Sequence, residues 1–367
     1  MDLSSEDALR LNVLLANSPQ AIRIDESSMT LYGLSEKGEA KVSLSPNCRD
    51  DLYLRKVREV LSGHVLGSPG GYPIYLKRWN RMGQTRDESL EQLLLLGEPE
   101  AVVAVTSARG LSDELARRAW WTRQDPDNAR RMLTISAVVE GEMGSELARF
   151  LIEYLPFETE PQLIIESLQL SLQPGLLSDE EQTALWKRCQ RKPTYYLGFL
   201  SSMPDALPGA SEEKNLSNIE RAGAEQLVQE GNVFASQLLR ICSPEGQRFL
   251  STVLQVMEKP ANQDVVTVLL DILRDYFSLL RPSGNPDLDL EALTEQVQQS
   301  NNLQLADSLK ALPEREKEFH SLYLLSGVGY GIVRPVFSKS DAIGSLMRKK
   351  LEPVFDPLRE VINDLIG

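Results

Sequence analysis

The amino-acid sequence predicts an α+β protein that is predominantly α: a small N-terminal α/β module of two to four strands, followed by an irregular helical array. Period-two alternation of apolar and polar residues, the pattern of half-buried strands, occurs only within 22–44. From residue 87 onward, apolar residues recur at steps of three and four, which is the helical period. Prolines and glycines divide this region into short helices.

The first module is expected to span 1–83. Its expected elements are a helix over 9–15, strands within 22–25 and 40–44, and a helix over 53–62 that ends at Gly63. Leu31 lies in a further short run between the two strands, so a meander of two or three strands is expected. Residues 72–79 are a candidate for one further strand. Because strands separated by short turns pair as a meander, we expect a small antiparallel sheet.

A helical domain is predicted for 84–203 and a second one for 218–367. In the domain 84–203, the clearest predicted helix lies over 143–155. Ser178 begins another helix, with the capping-box spacing to Glu181. Two prolines, a glycine and a charge cluster without apolar periodicity predict a linker at 204–217.

In the C-terminal domain, the apolar run 265–280 predicts a central helix, and the glycines of 327–331 predict a broken one. The last helix is expected to begin with Asp356 as N-cap and Pro357 in its first turn. Two arrangements remain open for the helices, an α-solenoid of HEAT or armadillo type and an irregular bundle array.

Composition describes a folded, acidic chain. The 367 residues are 42% hydrophobic and carry a formal charge of −14, which opposes non-specific attraction to nucleic acid or anionic lipid. The three cysteines form no CxxC pair, and acidic residues stand where a signal peptide needs a basic start. The uncharged run 321–333 is shorter than the about 20 apolar residues of a membrane span. We therefore expect a cytoplasmic protein.

One segment departs from this acidic background. Residues 55–86 hold seven Lys/Arg against one acid, and a Gly/Pro-rich run at 67–73 leads into its aromatic part. The candidate partner-binding or RNA-binding residues are Lys77, Arg78, Trp79, Arg81 and Arg86. Such cations meet phosphates while an indole stacks on a base. The alternative is a solvated strand whose cations pair with the protein's own carboxylates.

A second basic-aromatic cluster at 117–123 is diluted by neighbouring acids. It is expected to form a helix in which Trp120 and Trp121 cannot face the same way, which leaves one of them available to a partner.

The remaining chemistry-bearing residues are few. Cys48 is the one cysteine in a polar, turn-like setting beside a cation, and is the candidate reactive thiol. His64 and His320 are interpreted as structural, and neither glycine-rich run has a nucleotide-binding spacing. We expect no catalytic residue, metal, cofactor or small-molecule substrate.

Several phrases resemble the sulfur reduction protein DsrS family of sulfur-oxidising bacteria. They are LRLNVLLAN (9–17), QAIRIDE (20–26), PNCRDD (46–51), GSPGGYP (67–73), YLKRWNRMGQ (75–84), DESLEQLLLLGEPEAVV (87–103), DELARRAWW (113–121) and KPANQDV (259–265). The resemblance implies a cytoplasmic protein that accompanies the reverse dissimilatory sulfite reductase pathway, and it implies neither catalytic residues nor a cofactor.

The leading hypothesis is a non-enzymatic accessory or regulatory protein of sulfur oxidation that acts through protein or RNA interaction. The first alternative is an RNA-binding regulator that uses the basic-aromatic segment 75–86. The second is a sulfur-relay protein that uses Cys48.

Overall fold

The computed structural model describes residues 3–67, 87–339 and 342–367, and the chain divides into two compact units, Met1–Tyr154 and Leu155–Gly367. The first unit contains α1 (Ser5–Ala16), β1 (Ala21–Asp25), β2 (Thr30–Ser35), β3 (Gly38–Ser43), α2 (Asp50–Leu66), α3 (Asp87–Leu93), α4 (Pro99–Thr106), α5 (Asp113–Thr122), α6 (Pro126–Met132), α7 (Ser136–Val139) and α8 (Glu142–Tyr154). These elements, with those of the second unit, confirm the predicted α+β class with predominant helix.

The second unit is helical throughout its described residues. It contains α9 (Pro161–Ser171), α10 (Asp179–Cys189), α11 (Thr194–Ser202), α12 (Asn218–Gln229), α13 (Val233–Cys242), α14 (Pro244–Glu258), α15 (Gln263–Tyr276), α16 (Leu290–Gln298), α17 (Leu303–Ala311), α18 (Glu316–Gly327), α19 (Tyr330–Phe337) and α20 (Gly344–Leu365). Three 3-10 turns lie at Leu155–Phe157, Ser278–Leu280 and Pro313–Arg315. Within the described ranges, no helix is both long and apolar enough to cross a membrane.

The sheet is an antiparallel meander in the order β1-β2-β3. Ile24 lies opposite Leu31, which lies opposite Val42, so one face is apolar. Arg23 lies opposite Tyr32, which lies opposite Lys41, and these side chains share the other face. The predicted strands are present, but the half-buried alternation expected for 40–44 is not, because β3 is exposed at every position except Val42. The possible further strand at 72–79 lies outside the described residues.

Helices α1 and α2 cover the apolar face of the sheet. Their shared core consists of Leu11, Leu14, Leu15, Ile22, Met29, Leu31, Leu44, Tyr53, Leu54, Val57 and Leu61. Helix α5 contacts β1, and its Trp121 lies against Arg23 of the opposite face. Helices therefore pack on both faces of the sheet.

Helix α2 continues past the stop predicted at Gly63. It ends at Leu66, where Gly67 adopts the left-handed conformation with φ of 63°. A glycine takes that conformation without a Cβ penalty, which makes Gly67 the favoured C-terminal residue.

The second unit is organised around α18. This helix packs against α13, α15, α16, α17 and α20, and its residues from Glu318 to Ser326, except His320, are buried. Helices far apart in sequence thus share one core. A solenoid repeat contacts only its neighbours, so the second unit is an irregular bundle.

The segment predicted as a linker, 204–217, lies inside the second unit. Leu207 and Leu216 are buried. The carboxylate of Asp205 accepts hydrogen bonds from Arg240 Nε at 2.9 Å and from the Tyr276 hydroxyl at 3.0 Å. These contacts fix the segment against α13 and α15, and the unit boundary at 154–155 differs from the predicted ones. The predicted boundary at 83 falls outside the described residues.

Local signals are confirmed at several helix ends. Helix α8 covers the predicted stretch, the Ser178–Glu181 capping box is present, and the chain breaks between α18 and α19 as expected. The predicted start at Asp356 is wrong, because α20 begins at Gly344 and contains Pro353 and Pro357. Both prolines are exposed, whereas the apolar stripe of α20 is buried. Burial of that stripe outweighs the lost backbone hydrogen bonds.

Replacing Asn232 with alanine is expected to destabilise the second unit. Its Oδ1 accepts hydrogen bonds from two N–H groups in the first turn of α13 and from Ser308 Oγ, while Nδ2 donates to Gln304 O at 2.8 Å. Loss of the cap leaves these partners without a hydrogen bond. The free energy of unfolding, measured in urea, should therefore fall by about 2 kcal/mol. Asn301→Ala, at an exposed position, should change stability by less than about 0.5 kcal/mol. Equal effects would contradict this role.

Candidate functional site

The basic-aromatic segment is outside the described residues. All five candidate binding residues lie in it: Lys77, Arg78, Trp79, Arg81 and Arg86. Their role in binding RNA or a protein partner therefore stays a prediction.

The two adjacent tryptophans of α5 are both engaged. Trp120 is buried and its Nε1 donates to Glu146 Oε1 at 2.9 Å. Trp121 is half-buried, and its Nε1 donates to Glu39 Oε2 at 3.1 Å. The guanidinium of Arg23 lies 5.0 Å from the Trp121 ring and 4.7 Å from the Tyr32 ring. The two tryptophans face different ways as predicted, but Trp121 is held by the sheet.

The candidate thiol Cys48 is half-buried at the start of the turn before α2 and packs against the core of the first unit. Its Sγ donates to the carbonyl oxygen of Arg49 at 3.7 Å. Cys189 and Cys242 are buried. Burial raises the pKa of the Cys189 thiol to about 12 and that of Cys242 to about 11. Among the free cysteines, Cys48 is thus the accessible one.

The two histidines occupy different surroundings. His64 is exposed in the last turn of α2, and His320 is half-buried on α18, where it faces a cavity. In the described part of the chain, no three His, Cys, Asp or Glu side chains are grouped so that they could hold a metal ion.

A cavity lies beside His320 in the second unit. It has a volume of about 660 Å³ and lies between α16, the 3-10 turn at 313–315, α18 and α20. A second hollow of about 470 Å³ adjoins it and shares Thr294, Lys317, Leu324 and Val361. Together these two hollows form the C-terminal cleft.

The floor of the C-terminal cleft is apolar. Val297 and Leu324 are buried side chains of α16 and α18, and Val361 of α20 is half-buried. Leu290 and Pro357 extend the apolar surface at one end. Packing of α16 and α20 on either side of α18 leaves this strip uncovered.

The rim of the C-terminal cleft is acidic. Glu314, Glu316, Glu360 and Asp364 line it, with Lys317 as the cation among them. Lys317 Nζ lies 2.6 Å from Asp364 Oδ1, and this hydrogen bond raises the pKa of the lysine. The other three carboxylates form no ion pair within the described residues and are exposed. They add to a unit with 30 acidic and 20 basic residues over 155–367.

Arg315 holds one side of the cleft in place. Its Nε lies 2.6 Å from Glu220 Oε1, Nη1 donates to Glu318 Oε1 at 2.9 Å, and Nη2 donates to Asn215 O at 3.1 Å. This network ties the 3-10 turn to α12 and α18, and thereby positions the adjacent Glu314 at the rim.

Ser321 contributes an available polar group. The residue is 6% exposed and lines the cavity. The described structure shows no hydrogen bond from its hydroxyl, so the hydroxyl is free to bond with an occupant.

Sequence reasoning did not identify the cleft. Its residues come from three stretches, 290–298, 313–324 and 357–364, which no motif connects. The one local indication of the cleft is the run 314–318, which holds three glutamates. Acidic residues are common at the exposed start of any helix, so the run does not indicate a binding site by itself.

No protein-family model, curated protein or solved structure matches the chain.

The contribution of Glu220 to stability is expected to depend on pH. Hydrogen bonds from Arg315 and Ser217 lower the pKa of its carboxyl from 4.5 to about 2. The unfolded chain therefore takes up the proton first as pH falls, and the stabilisation is present above pH 4.5 and lost toward pH 2. Urea unfolding should show Glu220→Gln less stable than the natural protein at pH 7, with a smaller difference at pH 3.

Glu225→Gln is the matched control, because Glu225 is exposed on the same helix and forms no ion pair among the described residues. Its effect should be small at both pH values. A Glu220→Gln difference that stays constant from pH 7 to pH 3 would contradict the shifted pKa.

Thiol labelling should separate the three cysteines. In the native protein at pH 8, iodoacetamide is expected to modify Cys48 first, because Cys189 and Cys242 are buried and their pKa values are raised. Peptide mass spectrometry measures the rate at each site, and labelling in urea gives the unprotected rates. Native labelling of Cys189 as fast as that of Cys48 would overturn this expectation.

Proposed function

We propose that the protein is a non-enzymatic accessory or regulatory protein of dissimilatory sulfur oxidation, which works in the cytoplasm by binding a protein partner. The assignment to sulfur oxidation rests on the resemblance of the quoted phrases to the DsrS family. Binding of a protein partner is supported by the C-terminal cleft, with its apolar floor and acidic rim.

The chemistry of the cleft specifies one kind of occupant. An apolar strip flanked by helices accepts the apolar side of a helix or an extended segment. Glu314, Glu316 and Glu360, which form no ion pair among the described residues, favour lysine or arginine on the flanks of that segment. The proposed partner therefore presents a basic segment with an apolar side.

The same charge argues against nucleic acid at this site. Phosphates would meet the unpaired carboxylates of the rim, and the repulsion would be strongest at low salt. The RNA-binding alternative depends instead on residues 75–86, and the sulfur-relay alternative depends on the half-buried Cys48.

Neutralising the rim should weaken partner binding. The variant Glu314→Gln/Glu316→Gln/Glu360→Gln keeps side-chain size and removes three negative charges. The tagged natural protein should enrich components of the reverse dissimilatory sulfite reductase machinery from sulfur-grown cells. Titration calorimetry with the purified component should give an affinity about tenfold lower for the variant, with a weaker dependence on salt.

The control is Glu180→Gln/Glu225→Gln/Glu258→Gln, which makes the same change in net charge at exposed positions of the second unit that do not line the cleft. It should bind like the natural protein. Equal affinity of both variants would rule out the cleft as the binding site. Failure to enrich any sulfur-oxidation component would rule out the proposed pathway.

A further inference from the structure

The two edges of the sheet in the first unit differ in whether their backbone groups are hydrogen-bonded to other parts of the chain. At the β1 edge, the N–H of Ile22 donates to the carbonyl oxygen of Leu94 at 2.8 Å, so this edge is covered. The β3 edge pairs with no other strand among the described residues, and β3 is exposed at every position except the half-buried Val42. An uncovered edge is a template for another strand.

The register shows which backbone groups of β3 are available. Leu44 N donates to Met29 O at 2.8 Å and continues the β2-β3 ladder. Hydrogen-bonded pairs alternate along an antiparallel ladder, so Ala40 and Val42 bond to β2. Glu39 and Lys41 therefore direct their N–H and C=O groups away from the sheet.

Apolar surface lies next to this edge. A groove of about 550 Å³ runs between α1 and β3 and is lined by Leu9, Val13, Ala40 and Val42. Leu9 is 64% exposed and Val13 is 56% exposed. Such an exposed pair one helical turn apart has no role in the core of the first unit.

We propose that β3 pairs antiparallel with β3 of a second copy of the chain, which joins the two sheets into one of six strands. Charge selects the register. When Ala40 lies opposite Ala40 of the second copy, Glu39 faces Lys41 on both sides of the two-fold axis. The neighbouring registers place Lys41 opposite Lys41, or Glu39 opposite Glu39, and like charges directly opposite destabilise a sheet.

The pairing accounts for both exposed features at once. The N–H and C=O groups of Glu39 and Lys41, which pair with no other strand in the described ranges, bond across the axis. The second copy of β3 approaches the groove beside Leu9 and Val13. The contact is isologous, so it closes at two chains and does not propagate. It uses the first unit alone and is independent of the C-terminal cleft.

A charge swap tests the pairing. Sedimentation equilibrium of the full chain up to about 100 µM should show a dimer. Lys41→Glu places like charges opposite each other at two positions and should raise the dimer dissociation constant about tenfold. Adding Glu39→Lys to the same chain restores opposite charges and should return the constant to within about threefold of the natural value. A hetero-partner strand would not give this rescue.

Lys187→Glu is the control, because it makes the same charge change at an exposed position of α10 and should leave association unchanged. Circular dichroism and thermal unfolding verify that each variant is folded. A natural protein that stays monomeric, or a folded double variant that does not recover, would overturn the proposal.

Within its own chain, the Glu39 carboxylate accepts from Trp121 Nε1 at 3.1 Å and lies 3.5 Å from Arg23 Nη2. A cysteine crosslink tests the register without changing these contacts. In a Cys48→Ser background, Ala40→Cys places two thiols at a non-hydrogen-bonded pair, where Cα atoms are about 4.5 Å apart and can be bridged. In Val42→Cys, the two thiols of the dimer are displaced from each other by about four residues along the strands, which is too far for a disulfide. Mild oxidation should link Ala40→Cys and not Val42→Cys, and the reverse result would refute this register.

Discussion

The buried carboxylate of Glu318 constrains the whole second unit. It is 8% exposed, and a charge in that position is tolerated only when it is paired. Arg315 Nη1 donates to it at 2.9 Å and Lys214 Nζ lies 3.4 Å away. Arg315 also binds Glu220. Through Arg315, this carboxylate fixes α18, the start of α12 and the turn beside the C-terminal cleft. A sequence change that moved α18 would leave the buried charge without its ion pairs.

The molecule exposes two surfaces that a self-sufficient core would cover. The C-terminal cleft leaves Val361 half-exposed below a rim of carboxylates. At the β3 edge, which pairs with no other strand in the described part of the chain, Leu9 and Val13 are exposed. Their chemistry differs, because the rim of the cleft is acidic whereas Glu39 and Lys41 of the edge carry opposite charges.

Helix α20 shows how tertiary burial overrides a local rule. Asp356 and Pro357 have the ideal order for a helix start, and the sequence predicted one there. The helix instead runs through Pro353 and Pro357. The two prolines are four residues apart and share the solvent-facing side, so the buried stripe through Leu351 and Phe355 remains continuous. Its hydrophobic burial outweighs the two backbone hydrogen bonds that proline cannot form.

The sequence by itself determined whatever depends on near neighbours. Alternation specified the strands within 22–25 and 40–44, the Ser178–Glu181 spacing specified a cap, and steps of three and four specified α8, because each is a property of a few consecutive residues. The tertiary structure alone decided which helices surround α18, that 204–217 packs into the second unit, and where the C-terminal cleft lies. Those features join residues far apart in the chain, and their energies come from burial and ion pairing that no local pattern records.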